Sequence, residues 1–132
     1  MAEVLDELRS ALAQASQTPR GKRAVAGHDE DFEIEVPGHD PIHVEILGNA
    51  LAVRSGSSPR QEPLRFTRVQ LDQATLLDIL QGRLSPIEAM EQGKLFLRTR
   101  LYGGALLTIL LRAAYDLSRE RQLAGALPSH TP

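Results

Sequence analysis

The chain has 132 residues, of which 42% are hydrophobic and 24% charged, with a formal net charge of −2. That length suits one domain, and the charge gives no overall attraction to nucleic acid, so no nucleic-acid partner is expected. The absence of cysteine excludes disulfides, thiol catalysis and cysteine-based zinc sites.

Residues 2–17 place Val4, Leu5, Leu8 and Leu12 at helical spacing, with Ala11 and Ala15 beside them, and predict a first helix. Thr18-Pro19-Arg20-Gly21 ends that helix, and residues 21–31 read as a polar loop. His28-Asp29-Glu30-Asp31 inside it reads as a solvated acidic turn, because its spacing is wrong for a calcium loop. Phe32, Ile34 and Val36 then alternate with Glu33 and Glu35. Past the turn residues 37–41, Ile42, Val44 and Ile46 alternate with His43 and Glu45, and Ala50 to Arg54 forms a third short strand after Gly48-Asn49. Such alternation predicts hairpin-linked strands with one wet face. Leu64 to Leu71 reads as a fourth strand whose phase slips between Phe66 and Val69, which predicts a bulge near Thr67 and Arg68.

Asp72 is an N-cap for a helix carrying Leu76, Leu77, Ile79 and Leu80, with Gly82 as its stop. Ser85-Pro86-Ile87-Glu88 is a capping box with proline at the first helical position, opening a short helix that ends near Gly93. Leu95 and Leu97 predict a fifth strand, with Lys94, Phe96 and Arg98 on its other face. The last helix is expected from about Leu101 to Arg119, and residues 124–132 as a flexible tail after one domain over residues 1–123. Placed at about 100° per residue, the apolar positions of the last helix cover an arc of roughly 200°. A helix lying on one sheet needs an apolar stripe of about 100° or a little more. The excess must therefore meet another helix, a partner subunit or a bound lipid. Gly103-Gly104 at the start of this helix costs about 1 kcal/mol per residue against alanine, which fits a close backbone approach, a mobile entrance or a loose start.

Charge is distributed unevenly. Residues 1–93 hold 9 Lys/Arg and 15 Asp/Glu, and residues 94–132 hold 6 and 2. The basic end either balances the acidic part as a solvated face or, through Arg98, Arg100 and Arg112, touches an anionic membrane in passing. No signal peptide is visible and no apolar run approaches a membrane span, so a cytoplasmic protein is expected.

Reactive constellations are absent from the pattern. His39 and His43 sit four apart around Pro41, without a placed third ligand, and read as surface histidines; no metal site is expected. Glu88 belongs to the capping box, and Ser55, Ser57 and Ser58 lack a nucleophile-elbow pattern. No catalytic residues, no cofactor and no enzyme activity are expected.

The stretch 76–97 has a specific signature in Leu76, Leu77, Gly82, Leu84, Pro86, Ala89, Met90, Gly93, Lys94, Leu95 and Leu97. With the order of elements around it, it resembles the sterol carrier protein type two family of nonspecific lipid-transfer proteins, over roughly residues 5 to 117. Three departures stand out: Thr99-Arg100 occupies the place where the family often has Gly followed by Asn or Asp, the region of the third and fourth strands is short, and the basic Arg98 and Arg100 sit where the fifth strand hands over to the last helix. The resemblance implies an α+β fold, with a five-stranded, mostly antiparallel sheet covered on one face by helices and an apolar cavity between the layers. It also implies non-catalytic binding, or transfer, of a fatty acid, sterol-like molecule or isoprenoid. The expected lining is Leu77, Leu80, Met90, Leu106, Leu107, Leu110 and Leu111 from helices, and Phe32, Ile34, Phe66 and Leu97 from strands, while Gly82, Pro86 and Gly93 are structural. The alternative is an interaction module of the same fold, accessory to an enzyme of lipid or quinone metabolism. In that case an exposed Leu107/Leu111 face would dock the enzyme or a second copy of the chain.

Overall fold

The structure is a computed structural model describing residues 2–57, 59, 66–98 and 103–126. Ten elements follow in order: α1 (Ala2–Ala15), α2 (Pro19–Val25), β1 (His28–Glu35), β2 (Ile42–Gly48), β3 (Ala50–Ser55), β4 (Phe66–Leu71), α3 (Gln73–Leu80), α4 (Pro86–Glu91), β5 (Leu95–Leu97) and α5 (Gly103–Ala126). The strands form one sheet in the order β3-β2-β1-β4-β5. Three neighbouring pairs are antiparallel and the central β1–β4 pair is parallel, so the sheet is mixed but mostly antiparallel, as expected.

Two faces follow from the register. Phe32, Ile34, Ile42, Val44, Ile46, Val53, Val69 and Leu71 are buried on the face that meets the helices. The other face carries Asp31, Glu33, Glu35, His43, Glu45, Arg54, Arg68 and Gln70. β4 alternates without interruption opposite β1, from Asp31↔Phe66 to Glu35↔Gln70. The expected bulge at Thr67 and Arg68 is therefore not present: Thr67, Val69 and Leu71 face the core, and Phe66 faces away from it. Leu64, on which the expected slip also rested, lies outside the described residues.

The segment 21–31 departs most from its sequence reading. Thr18 accepts a hydrogen bond from the Gly21 amide at 3.0 Å and caps α2, with Pro19 in the first turn where its missing N–H costs nothing. Gly21 is required there because a Cβ would overlap the Ala15 carbonyl oxygen as α2 folds back on the end of α1. His28 to Asp31 form the start of the central strand, and Asp31 is buried, so this segment is not a solvated turn.

The remaining caps match their sequence signals. Asp72 accepts from the Thr75 amide at 2.7 Å. Both bonds of the Ser85–Glu88 capping box are formed. Gly82 adopts φ +75°, and a side chain there would press on the Arg119 amide of α5. α5 is the hub of the helical layer, touching α1, α2, α3, α4, β1 and β4. Its wide apolar arc is thus met by the chain's own helices. It runs on to Ala126, beyond the expected end at Arg119, because polar ties from Ser118 and Gln122 to the end of α3 hold its last turns. Leu101, Tyr102 and residues 127–132 lie outside the described residues. At the sheet edge, the Arg9 guanidinium of α1 donates twice to the Val53 carbonyl of β3, at 3.2 and 3.0 Å.

Candidate functional site

The expected lining residues do not form one set. Phe32, Ile34, Leu107 and Leu110 have no exposed surface at all, so no water-sized space adjoins them. Leu80, Leu106 and Leu111 join them in the core, with Leu77 and Met90 packed at its margin. Side chains thus fill this part of the space between sheet and helices. Phe66 lies on the opposite face of the sheet, with the Arg68 guanidinium 5.2 Å from its ring centroid. Leu97 shares the inner face with its partner Val69 but is 37% exposed, at the short edge strand. The Leu107/Leu111 face is buried within the chain, so it cannot be an exposed docking surface.

Open space lies instead between α1, α3 and α5, in a cavity of about 390 Å³ that opens to solvent past the exposed Ser10, Gln14, Arg121 and Gln122. Its apolar lining is Ala11, Leu80, Ala114 and Leu117, of which Leu80 and Ala114 are also core residues. Helical spacing explains the assembly: Glu7, Ser10, Ala11 and Gln14 form one flank of α1, and Ala114, Leu117, Ser118 and Arg121 form one flank of α5. Amide and hydroxyl groups tie the rim. Gln81 Nε2 donates to Glu7 Oε1 at 3.2 Å, Ser118 Oγ and Gln122 Nε2 donate to the Leu80 and Gln81 carbonyls, and Arg121 donates to Gln14. Among the described residues Arg121 has no carboxylate partner, whereas Arg54, Arg83 and Arg112 each have one and Arg68 has two. Of the residues named from sequence, Leu80 alone lines this cavity. The polar rim went unseen because glutamine and serine on a helix flank have no distinctive sequence pattern.

The face of the sheet away from the helices holds a second cluster. His43 Nε2 lies 2.6 Å from Asp31 Oδ1, and both side chains are almost wholly buried. His43 is therefore not a surface histidine, although His39 is exposed. Arg54 reaches over from β3 to Glu45 at 3.2 Å, with its other amino group 3.5 Å from His43 Nδ1. Farther along, Arg68 bridges Glu33 at 3.0 Å and Glu35 at 2.8 Å. Arg98 bonds Gln70 at 2.9 Å, and Arg112 bonds Asp116 at 3.0 Å; Arg100 lies outside the described residues.

Two carboxylates elsewhere are held below their ordinary pKa. Asp72 is lowered mainly by the side-chain and backbone bonds to Thr75, and Glu88 by its bonds to Ser85, with Arg112 and Arg119 adding attraction. Both serve helix starts and neither lies in the cavity.

No protein-family model and no curated protein sequence matches the chain. Solved structures do. A ubiquinone synthesis protein, UbiJ-SCP2, is 17% identical over 97% of this chain and 96% of its own, with a TM-score of 0.58. A crystal structure of sterol carrier protein 2 is 18% identical over 84% of this chain and 90% of its own, with a TM-score of 0.53. The inverting sec-alkylsulfatase Pisa1 from Pseudomonas sp. is 23% identical over 67% of this chain, with a TM-score of 0.53, and the chain spans 13% of that enzyme's length. The five-stranded sheet, its helical cover and these likenesses together give the chain the fold of a sterol carrier protein 2 domain.

Proposed function

We propose that this chain binds an apolar or amphiphilic small molecule, without covalent chemistry, in the cavity between α1, α3 and α5. The observation that carries this reading is the cavity itself: apolar where it reaches the core at Leu80 and Ala114, polar at its rim, and large enough for a chain of several carbons. Binding sites for small molecules combine this apolar lining with few polar anchors. Burial of apolar surface drives association at about 25 cal/mol per Å². Arg121 and Gln14 at the rim suit the polar end of such a molecule. The likeness to sterol carrier protein 2 supports the reading at the level of fold.

Native mass spectrometry of the purified protein, followed by organic extraction, tests it. A reproducible bound mass lost in Ala114→Trp supports the cavity. A protein that carries nothing and fails to take up fluorescent fatty-acid or sterol probes refutes it.

A further inference from the structure

We propose that the solvent side of α2, with Arg121 of α5 beside it, docks this chain on an anionic lipid bilayer next to the mouth of the cavity. The choice of a bilayer as partner rests on the proposed function: an apolar molecule sheltered in the cavity is exchanged with the membrane that dissolves it.

The sequence supplies a local surplus of positive charge. Residues 8–28 carry four cations, Arg9, Arg20, Lys22 and Arg23, and no carboxylate, in a chain with 17 acids and a formal net charge of −2. Helix α2 turns three of them outward. Gly21 and Val25 are its buried residues, and Arg20, Lys22 and Arg23 stand exposed around the rest of its circumference. Among the described residues none of these three meets a carboxylate, nor does Arg121. Arg9, Arg54, Arg68, Arg83, Arg98 and Arg112 each do. Arg98 and Arg112 therefore carry their own counter-charges, Glu35 and Asp116, whereas the cations of α2 have theirs still to find. The exposed side of α1 offers no alternative, because Glu3 and Asp6 on it repel an anionic surface.

Position ties this charge to the cavity. α2 packs on α5, and Arg20 and Arg23 line a groove between the two helices. Leu117 of α5 lines both this groove and the cavity, so one side chain stands between them. Asp116 and Glu120 also line the groove. Asp116 is engaged by Arg112, which leaves Glu120 against Arg20, Lys22, Arg23 and Arg121. An anionic bilayer gains about fivefold in affinity from each cation held near its surface, and the gain fades beyond a screening length.

Cosedimentation of the full chain with vesicles tests the proposal, using an equimolar mixture of phosphatidylserine and phosphatidylcholine against phosphatidylcholine alone. Binding to the mixed vesicles only is expected, and it should fall as added salt shortens the screening length. Arg20→Gln, Lys22→Gln and Arg23→Gln together should weaken it about 100-fold, with the circular dichroism spectrum unchanged. Arg54→Gln with Arg98→Gln should leave it nearly unchanged, since these cations lie on the far face of the sheet and are already paired. Vesicle binding needs no ligand, so its failure and a failure of the native chain to take up a fluorescent fatty acid are separate results. No binding to the mixed vesicles, equal binding to phosphatidylcholine alone, retention on polyglutamate without vesicle binding, or an equal loss in the two variants would each overturn the proposal.

Discussion

A homologous series of saturated fatty acids from six to eighteen carbons tests the size and character of the cavity. Each methylene that enters it should add about 0.8 kcal/mol, close to fourfold in affinity. The gain must stop when the space is full. At about 30 Å³ for each water-sized group, the cavity of about 390 Å³ holds roughly a dozen such groups. Affinity should therefore climb steeply up to about ten or twelve carbons and then level off. Competition against a fluorescent fatty-acid probe gives the series at constant detergent-free conditions. Ala114→Leu adds three carbons to the cavity wall and should bring the plateau forward by about that number, from the same volume argument. Affinity that is flat from the shortest acid would refute apolar burial as the driving force. A rise continuing unbroken to eighteen carbons would refute this cavity as the place of binding, because carbons beyond its volume would lie in solvent and gain nothing.

Other expectations concern the frame. Leu110→Ala removes a fully buried side chain from the hub helix and should cost about 2–5 kcal/mol in chemical denaturation; a loss below about 1 kcal/mol would show a looser core. Ser85→Ala breaks the capping box and should cost about 1 kcal/mol, while Ser85→Asp should retain most of the stability because aspartate caps as well. Asp72 and Glu88 have folded pKa values below their ordinary 3.8 and 4.5. Their contribution is full above those values and is lost as pH falls through the lowered ones. Stability measured against pH should therefore decline below about pH 4.5, with a shallower decline in Asp72→Asn.

Much of the frame was legible because its signals are local. Asp72, Gly82, Ser85-Pro86 and Gly93 each satisfy a backbone demand within a turn or two, and the structure uses all four as read. Alternation in β1 and β2 likewise located the two faces of the sheet, whereas β4 was read with Phe66 on the wrong face. The failures arose where partners are distant. Thr18-Pro19 was read as a stop for α1, although it also starts α2, because the packing that stabilises so short a helix comes from α5. Asp31 and His43 looked like exposed polar residues because nothing nearby in sequence shows that they face each other across β1 and β2. The open space between α1, α3 and α5 went unseen for a related reason: the apolar arc of α5 was legible, but the helices that cover it could not be assigned from their own periodicity. Open space remained where α1, α3 and α5 meet through polar side chains.

The two hydrogen bonds from Arg9 to the Val53 carbonyl also bear on how the chain folds. β3 is an outer strand, and its free backbone groups would otherwise offer a template to a neighbouring molecule. The residue that blocks this template lies 44 positions earlier in sequence, on a helix whose apolar side, Val4, Leu8 and Leu12, has no sheet to rest on until β3 exists. During synthesis α1 must therefore wait, apolar side uncovered, for about forty residues to follow it before β3 is complete, and the edge and the helix protect each other only at the moment of docking. Self-association should accordingly concentrate in this interval, and Arg9→Ala should raise it during refolding while the finished fold keeps its apolar contacts.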